Sequence, residues 1–398
     1  MAGFTLCFGG LLLLMFLFLW ASKAEGYGPR LFNVMNYGAV ADGQRDNSQA
    51  LLRAWRDGCE WDGKAEVLIP YGTYMSDPVE FSGPCRGPIN FVIRGILKAP
   101  THNSKIFTTK WISFQYIDQL TITGGGTLDG QGASSWGFND CNTNSNCPTL
   151  PTSLVLDFVT NSRVHHLTSL NSKNTHISIF ASNNFNVSHV RISAPDDSPN
   201  TDGIKIGTSH RIRVSRSVIE TGDDCIAMLS GSTKIHISKV YCGPGHGISI
   251  GSLGRSQGER DVKGIIVKNS TFSRTTNGVR IKTWASPASM KASNFIFQDI
   301  VMKDVFNPIT IDQHYCPHGN CNPQISSNVQ ISNVLYKNIV GTSSSMVAVS
   351  LVCSQSKPCN NVVLDNINLV HTGKEAAISS CYHVNGLSYG HQNPVSCI

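Results

Sequence analysis

The chain has 398 residues, of which 15% are charged and 40% are hydrophobic. The charged share is too low for a disordered chain, and the apolar share is too low for a protein with many membrane spans. The formal net charge is +6, but no block of five or six consecutive Lys and Arg residues marks a nucleic-acid-binding arm. A mildly positive charge suits either an acidic polymer as partner or an ordinary soluble surface.

The N-terminus has the pattern of a secretory signal. Residues 11–20 form an apolar block, which the small residues Ala21, Ser22 and Ala24 follow. This length is typical of a cleaved signal peptide, whereas a spanning helix needs about 20 apolar residues. Lys and Arg are absent before the block, which departs from the usual pattern. We expect a signal peptide at 1–24 and a single domain at 25–398, with an uncleaved membrane anchor as the alternative.

Twelve cysteines follow the signal, and an even number in a secreted chain predicts disulfides. We expect neighbours in the sequence to pair, and we prefer a disulfide to a zinc site at residues 314–321. Two sequons, beginning at Asn186 and Asn269, are candidate glycosylation sites. The candidate disulfide cysteines are Cys59, Cys85, Cys141, Cys147, Cys225, Cys242, Cys316, Cys321, Cys353, Cys359, Cys381 and Cys397.

One helix and many short strands are predicted in chain order. A strand begins at Phe32, and the segment from Asp46 to Ser48 offers helix-capping side chains. Apolar residues at helical spacing, including Leu51 and Trp55, then predict an amphipathic helix. Short apolar runs at residues 67–70, 91–96 and 120–123 predict strands.

From about residue 154 an apolar pair three residues apart recurs every 23 to 34 residues. The pairs are Val164/Leu167, Val187/Val190, Ile237/Val240, Phe297/Ile300, Ile331/Val334 and Leu364/Ile367, with looser copies beginning at Val214 and Val267. Such a period predicts a solenoid or a propeller, and short strands with Asn-rich turns favour the solenoid. We therefore predict an all-β, right-handed parallel β-helix whose open end the N-terminal helix covers.

Four short motifs carry the candidate chemistry: Asn200-Thr-Asp202, Gly222-Asp223-Asp224, Gly245-His246-Gly247 and Arg280-Ile-Lys282. They lie about one coil apart, at intervals of 21, 23 and 34 residues. Residues one coil apart share a face, so we expect a column with about 5 Å per step. Its predicted members are Asp202, Asp223 or Asp224, His246 and Arg280.

Three carboxylates this close cannot all ionise freely, so at least one should have a raised pKa and act as a general acid. An ionised neighbour would act as the base, and this pair is what hydrolysis of a glycosidic bond requires. Arg280 and Lys282 would hold an anionic sugar. Each motif alone is more often a solvated turn, and an acidic cluster can instead bind Ca²⁺.

The motifs NTD, GDD, GHG and RIK, in this order, resemble the signature of polygalacturonases, glycoside hydrolase family 28. The segments 32–43 and 242–252 are also similar to plant members, and the chain as a whole resembles the pollen exo-acting group. The resemblance implies a right-handed parallel β-helix that hydrolyses α-1,4 links of polygalacturonate with inversion, without metal or cofactor.

The resemblance also implies roles for individual residues. Asp223 matches the general acid, Asp202 and Asp224 match the pair that activates water, and His246 matches the histidine that tunes the acid. Arg280 and Lys282 match the cations that bind substrate carboxylates, whereas Asn200 and Tyr315 match substrate-binding positions. The coil spacing alone would favour the carboxylate separation of a retaining enzyme.

We expect an anionic polysaccharide, polygalacturonate or pectin, as partner of a monomer secreted into the plant cell wall. Neither nucleic acid nor, after signal cleavage, a membrane is an expected partner. The alternatives are an endo-acting enzyme, a rhamnogalacturonan hydrolase, a Ca²⁺-dependent lyase and a non-catalytic pectin-binding protein. Residues 140–151 are either a wall that closes one end of an exo-acting cleft or a surface loop.

Overall fold

The computed structural model describes residues 28–101, 108–139, 147–317, 319, 321–322 and 324–398. The predicted signal peptide at 1–24 lies outside this range, as does Cys141. Within it the chain forms two long parallel sheets, with the helix α1 (Ser48–Cys59) at the N-terminal end. Among the residues described, no helix has the length and apolarity needed to cross a membrane.

The first eleven strands have three to six residues each, and strands of ten or more residues occur from the twelfth onward. In chain order they are β1 (Arg30–Asn33), β2 (Asp42–Asp46), β3 (Ala65–Ile69), β4 (Thr73–Met75), β5 (Val79–Ser82), β6 (Ile89–Ile93), β7 (Ile96–Lys98), β8 (Lys110–Gln115), β9 (Leu120–Thr123), β10 (Thr127–Asp129), β11 (Thr152–Asp157), β12 (Thr160–Leu170), β13 (Ile177–Phe180), β14 (Asn183–Ser193), β15 (Ile204–Gly207), β16 (His210–Glu220), β17 (Ile226–Met228), β18 (Thr233–Cys242), β19 (Ile248–Leu253), β20 (Val262–Ser273), β21 (Asn277–Trp284), β22 (Ser289–Val305), β23 (Asn307–Tyr315), β24 (Asn328–Ser343), β25 (Val347–Val352), β26 (Cys359–His371), β27 (Ile378–Tyr382) and β28 (Val384–Asn393).

Sheet B contains β5, β8, β11 and the odd-numbered strands from β13 to β27, and sheet A contains the other 17 strands. Each strand pairs in parallel with the strand one coil later. In sheet B, for example, Ile177 pairs with Ile204 and Ile204 with Ile226. The chain is therefore a right-handed parallel β-helix, as predicted.

The interior is filled by stacked apolar side chains from both sheets. Ile177, Ile204, Ile226 and Ile248 form one such column and are fully buried. Val164 and Leu167, the first predicted apolar pair, also belong to the core. Each fully buried aliphatic side chain contributes about 2 kcal/mol, so the repeating pairs supply the stability of every coil.

Two rows of left-handed residues bend the long strands of sheet A from β12 to β26. Bend row 1 contains Asn161, Asn184, Arg211, Lys234, Gly264, Asn294, Asn333 and Asn361, and bend row 2 contains His166, His189, Arg216, Lys239, Asn269, Asp299, Asn338 and Asn366. Asn is frequent here because its short amide tolerates this conformation and bonds to the next coil. The Nδ2 atom of Asn333, for example, donates to Oδ1 of Asn294 at 2.9 Å.

The helix α1 covers the first coil, as predicted. The carboxylate of Asp46 begins it by accepting hydrogen bonds from the backbone N and the Oγ of Ser48, at 2.9 and 2.7 Å. The helix buries Trp55 against Phe81 and Phe114, with ring centroids 5.1 and 5.4 Å apart. The otherwise open end of the core is thereby shielded from water.

Where the structure describes both partners, five disulfides join cysteines that are neighbours in the sequence, the arrangement expected above. They are Cys59–Cys85, Cys225–Cys242, Cys316–Cys321, Cys353–Cys359 and Cys381–Cys397. Cys316 is therefore held by Cys321 and not by a zinc ion. Cys147 is disulfide-bonded, but the predicted pair with Cys141 stays a prediction because Cys141 lies outside the described residues.

The two sequons occupy different surroundings on sheet A. Asn186 is half-buried on β14, whereas Asn269 is exposed in bend row 2. Glycosylation at either residue stays a prediction.

Replacement of Trp55 by Ala should strongly destabilise the protein, because it opens a cavity between α1 and the first coils. Core Trp-to-Ala changes cost about 3–5 kcal/mol. The measurement is the thermal midpoint by circular dichroism, with Trp61→Ala as control because Trp61 is 37% exposed. An equal shift for both variants would show that α1 does not seal the core.

Candidate active site

Three successive turns place acidic and imidazole side chains at the N-terminal ends of sheet B strands. Asp202 precedes β15, Asp223 and Asp224 precede β17, and His246 precedes β19. Backbone hydrogen bonds stack these turns: the N of Gly203 donates to the O of Asp224 at 2.9 Å, and the N of His246 donates to the O of Asp223 at 2.8 Å. The turns therefore have fixed relative positions.

Glycines on both sides of His246 are required by close packing. Gly245 and Gly247 have φ of +141° and +86°. A Cβ atom on Gly247 would lie 2.1 Å from the carbonyl oxygen of Asn277 in the next coil. The Gly-His-Gly motif thus allows the turn to pack against its neighbour while it presents the imidazole.

Asp224 is the most enclosed carboxylate of the cluster, with 2% of its side chain exposed. Its Oδ1 accepts from Nη2 of Arg280 at 2.9 Å and from the Oγ of Ser249 at 2.8 Å. Its Oδ2 accepts from Nζ of Lys282 at 2.8 Å. Burial of this charge is compensated because two cations and a hydroxyl surround it.

Asp223 is paired with His246 through a 3.0 Å contact between its Oδ1 and the Nδ1 of the imidazole. Burial favours the neutral acid, but the hydrogen bond and charge of His246, together with Lys282, outweigh burial and lower the pKa of Asp223. The same hydrogen bond raises the pKa of His246 against the opposing effect of burial. The free protein therefore favours the charged form of this pair.

Asp202 takes up a proton more readily than Asp223. Burial raises its pKa to about 6, and the charges of Asp223 and Asp224 act in the same direction. Lys205 opposes them because its Nζ forms an ion pair with Oδ2 of Asp202. One raised carboxyl was predicted, but the group that has it is Asp202 and not Asp223, the residue matched to the general acid.

The predicted column is correct for three members and wrong for Arg280. If the register of β15, β17 and β19 is extended back by two residues, it aligns Asp202, Asp224 and His246. Arg280, however, pairs with Ser249. One register step in this coil is 31 residues, since Ile248 pairs with Val279, so Asn277 follows His246 in the column and Arg280 lies three residues further along. Arg280 still reaches Asp224 through its long side chain.

Sequence reasoning missed Lys205 and Ser249. Lys205, Ala227, Ser249 and Arg280 occupy one outward column of sheet B. The available signal was their position three residues after Asp202 and His246, on the outward side of each following strand. When His246 is protonated, the site therefore holds four cations and three carboxylates. The cations are Lys205, His246, Arg280 and Lys282, and the carboxylates are Asp202, Asp223 and Asp224.

A cavity of about 470 Å³ adjoins the cluster on the C-terminal side. Arg280, Tyr315 and Asn277 line it. Tyr315 stands over Lys282, whose Nζ lies 5.1 Å from the ring centroid. On the other side of the cluster, Oδ1 of Asn200 is buried without a partner among the described atoms and is free to accept a hydrogen bond.

The ligand atoms of Asp223, Asp224 and His246 lie within 4.8 Å of one another, so these residues are the candidate metal ligands among those described. A Ca²⁺ ion takes six to eight oxygen ligands. Both oxygens of Asp224 already accept bonds from cations, and Oδ1 of Asp223 contacts His246. This donor set does not fit Ca²⁺ because the ion would have to displace Arg280 and Lys282.

A parallel β-helix that stacks three carboxylates, an imidazole and a pair of cations on one wall is equipped for acid/base cleavage of an anionic polysaccharide. The sequence comparison agrees with this class. The chain belongs to glycosyl hydrolases family 28, whose family model matches residues 59–397.

Curated relatives cover nearly the whole chain. An exopolygalacturonase from Platanus acerifolia is 45% identical over 366 residues, which are 92% of this chain and 97% of the relative. A polygalacturonase from Gossypium barbadense is 42% identical over 385 residues, with 96% and 94% covered.

Solved structures share the fold at low identity. An endo-xylogalacturonan hydrolase from Aspergillus tubingensis has a TM-score of 0.78 at 22% identity, over 91% of this chain and 99% of that one. An exopolygalacturonase from Thermotoga maritima has a TM-score of 0.74 at 18% identity, over 86% and 88%.

Replacement of His246 by Gln should destabilise the protein most between pH 3.8 and 6.5, by about 1 kcal/mol for this partly exposed pair. Asp223, with its lowered pKa, contributes stability above its ordinary pKa of 3.8 and loses that contribution as the pH falls. His246, with its raised pKa, contributes below its ordinary pKa of 6.5 and loses that contribution as the pH rises.

The measurement is the thermal midpoint from pH 3 to pH 9, with His314→Gln as control because His314 is exposed. A difference between wild type and His246→Gln that does not change with pH would contradict the ion pair.

Proposed function

We propose that this family 28 glycoside hydrolase cleaves the α-1,4-galacturonosidic bonds of polygalacturonate from a chain end, with inversion and without metal. The observation that carries the proposal is the convergence of Arg280 and Lys282 on Asp224, beside the Asp223–His246 pair. Cations placed next to acid/base groups can hold a uronate at the bond that is cleaved.

The cations would recognise substrate by exchanging partners. Arg280 contributes a planar guanidinium suited to a carboxylate, and it lines the cavity next to the cluster. A galacturonate carboxylate there would share Arg280 and Lys282 with Asp224. The unpartnered Oδ1 of Asn200 would accept a sugar hydroxyl, and Tyr315 would pack against a sugar ring.

Asp223 is proposed as the general acid, with His246 as the source of its proton. In the free protein Asp223 is an anion, so it must gain a proton before it can give one to the leaving oxygen. The Nδ1 of His246 lies 3.0 Å from Oδ1 of Asp223 and can transfer its proton along this contact. Substrate binding would favour the transfer because it excludes water and adds a negative charge.

Asp202 and Asp224 are proposed to activate the attacking water. Lys205 favours the ionised form of Asp202, and Arg280 and Lys282 hold Asp224 in place with hydrogen bonds. Asp202, whose pKa is about 6, would then take up the proton of the water as the base.

Exo action is supported by the exopolygalacturonase relatives and by the segment that precedes residue 140. The Nδ2 of Asn139 donates to the O of Pro199 at 3.5 Å, so this segment approaches the turn that holds Asn200. Residues 140–146 lie outside the described range, so a wall at 140–151 that closes one end of the cleft stays a prediction. We further propose secretion of a monomer into the plant cell wall after cleavage of the predicted signal.

Asp202→Asn, Asp223→Asn and Asp224→Asn should each lower kcat on polygalacturonate by about 10²–10⁴-fold, because each removes a proton donor, a base or the partner of the cations. Release of reducing ends is the measurement. Asp304→Asn is the control, because this exposed residue lies in sheet A. Full activity of Asp223→Asn would indicate a binding protein or a different site.

An aryl α-galacturonide distinguishes the acid from the base, because removal of its single sugar releases the aryl group, a leaving group that needs little protonation. Asp223→Asn should retain much more activity on this substrate than on polygalacturonate, whereas Asp202→Asn should be impaired on both. The opposite pattern would assign the acid to Asp202.

The first product seen by NMR should be the β-anomer, and an α-anomer would show retention.

On de-esterified polygalacturonate, monogalacturonate should appear from the first time points with little loss of viscosity, because an end-closed cleft admits one chain end. Product size by chromatography, with viscosity in parallel, is the measurement, and a chelator should not change the rate. A rapid viscosity loss with mixed oligomers would show endo action. Cleavage of rhamnogalacturonan alone would identify a different substrate.

A further inference from the structure

A second, strongly cationic surface lies on sheet A, across the core from the active site. It is formed by β12, β14, β16, β18 and β20 between bend row 1 and bend row 2, and we call it the basic face. Its cations are Arg163, Arg211, Arg213, Arg216, Lys234, Lys239 and Lys268. His165, His166, His189 and His236 lie among them.

Carboxylates are nearly absent from these five strands. Glu220 is the one acidic residue that they contain; it lies beyond bend row 2 and is paired with Arg191 at 2.8 Å. Two carboxylates lie just outside these strands. Asp299 lies in bend row 2 two coils after Lys239, and Oδ1 of Asp118 accepts a hydrogen bond from Nδ2 of Asn161 at the other end of the face. The positive charge of the basic face is therefore not neutralised from within.

The cations at the centre of the face have no carboxylate partner in the described part of the chain. Arg211, Arg213 and Lys234 are exposed, and none of them lies within 4.0 Å of a carboxylate there. The positive charges also affect a neighbouring imidazole. Burial lowers the pKa of His236 most, and the charges of Lys268 and Arg213 lower it further. A surface of this kind attracts a polyanion.

The face is grooved. A cavity of about 560 Å³ is lined by Arg211, Arg213, Lys234 and His236. Gly264 keeps it open, because bend row 1 has no side chain between Lys234 and Asn294. A second cavity of about 410 Å³, lined by Arg163, meets the first at Asn184. From Asn161 to Asn294 the groove crosses five coil steps, or about 24 Å.

We propose that the basic face is a second, non-catalytic binding site for polygalacturonate, and this inference rests on the proposed function. The polymer carries one carboxylate per sugar, and the groove offers cations in successive coils. Asn184 and Asn294 of bend row 1 each use one amide atom in the ladder between coils, and the other amide atom can bond to a sugar hydroxyl. The site would keep the enzyme on the polymer while the active site acts on a chain end.

The sequon at Asn186 lies within this groove, since Asn186 pairs with Arg163 and with Arg213 in the neighbouring coils. A glycan there would cover the groove. Binding is therefore measured on protein whose N-glycans have been removed enzymatically.

The experiment compares the triple variant Arg211→Gln, Arg213→Gln, Lys234→Gln with the charge-matched control Arg45→Gln, Lys303→Gln, Lys374→Gln. The control residues are exposed and lie outside the basic face. Retention on insoluble pectate, with fully methyl-esterified pectin as the uncharged comparison, gives the affinity. The groove variant should bind pectate roughly tenfold more weakly than the control, because three exposed charge contacts are lost.

Hydrolysis of trigalacturonate separates this inference from the proposed function. Both variants should keep wild-type kcat and KM on this short substrate, and the groove variant alone should show a higher KM on long polygalacturonate. Equal pectate retention by the two variants would overturn the inference, as would equal binding to methyl-esterified pectin. Absence of hydrolysis by wild type would contradict the proposed function instead.

Discussion

Backbone hydrogen bonding between successive coils determines which side chains become neighbours in this protein. Each strand pairs in parallel with the strand one coil later, so a residue's position in its coil sets its distance from every other functional group. A slip of one residue would exchange the inner and outer faces of a strand and bury the polar set. The stacked isoleucines of sheet B prevent such a slip because they fit only inside. Packing in the core thereby fixes the geometry of the surface.

The active site shows how this framework holds charges that would otherwise repel. Three carboxylates lie in adjacent turns, and each has its own cationic partner. Asp224 has two, Asp223 has the imidazole, and Asp202 has Lys205. The cluster is close to neutral overall, yet its members differ in how readily they take up a proton. Such differences between neighbouring groups are what acid/base chemistry needs.

Much of this organisation is predictable from the sequence, and the exceptions have physical causes. The apolar pairs beginning with Val164 and Leu167 predict the solenoid because every coil must fill the same interior. The motifs at Asp202, Asp223 and His246 predict the site because their spacing is close to one coil. Lys205 was not predicted because its ion pair with Asp202 depends on the length and direction of the lysine side chain, which the spacing of motifs does not describe. The predicted position of Arg280 was wrong because the coils differ in length. The opposite pKa shifts of Asp202 and Asp223 depend on burial and on neighbouring charges, which sequence spacing does not describe.

The loop at residues 254–261 shows how the coils differ in length while β18 and β20 keep a constant register. Ile226 and Ile235 are 9 residues apart, whereas the equivalent residues of the next coil, Ile248 and Ile265, are 17 apart. The added residues fold back on Glu259, whose carboxylate accepts hydrogen bonds from the backbone N of Gly254, Arg255 and Ser256. The solenoid can thus gain or lose surface loops one coil at a time while the strands stay paired. New cleft walls can arise on this scaffold without any change to the machinery they surround.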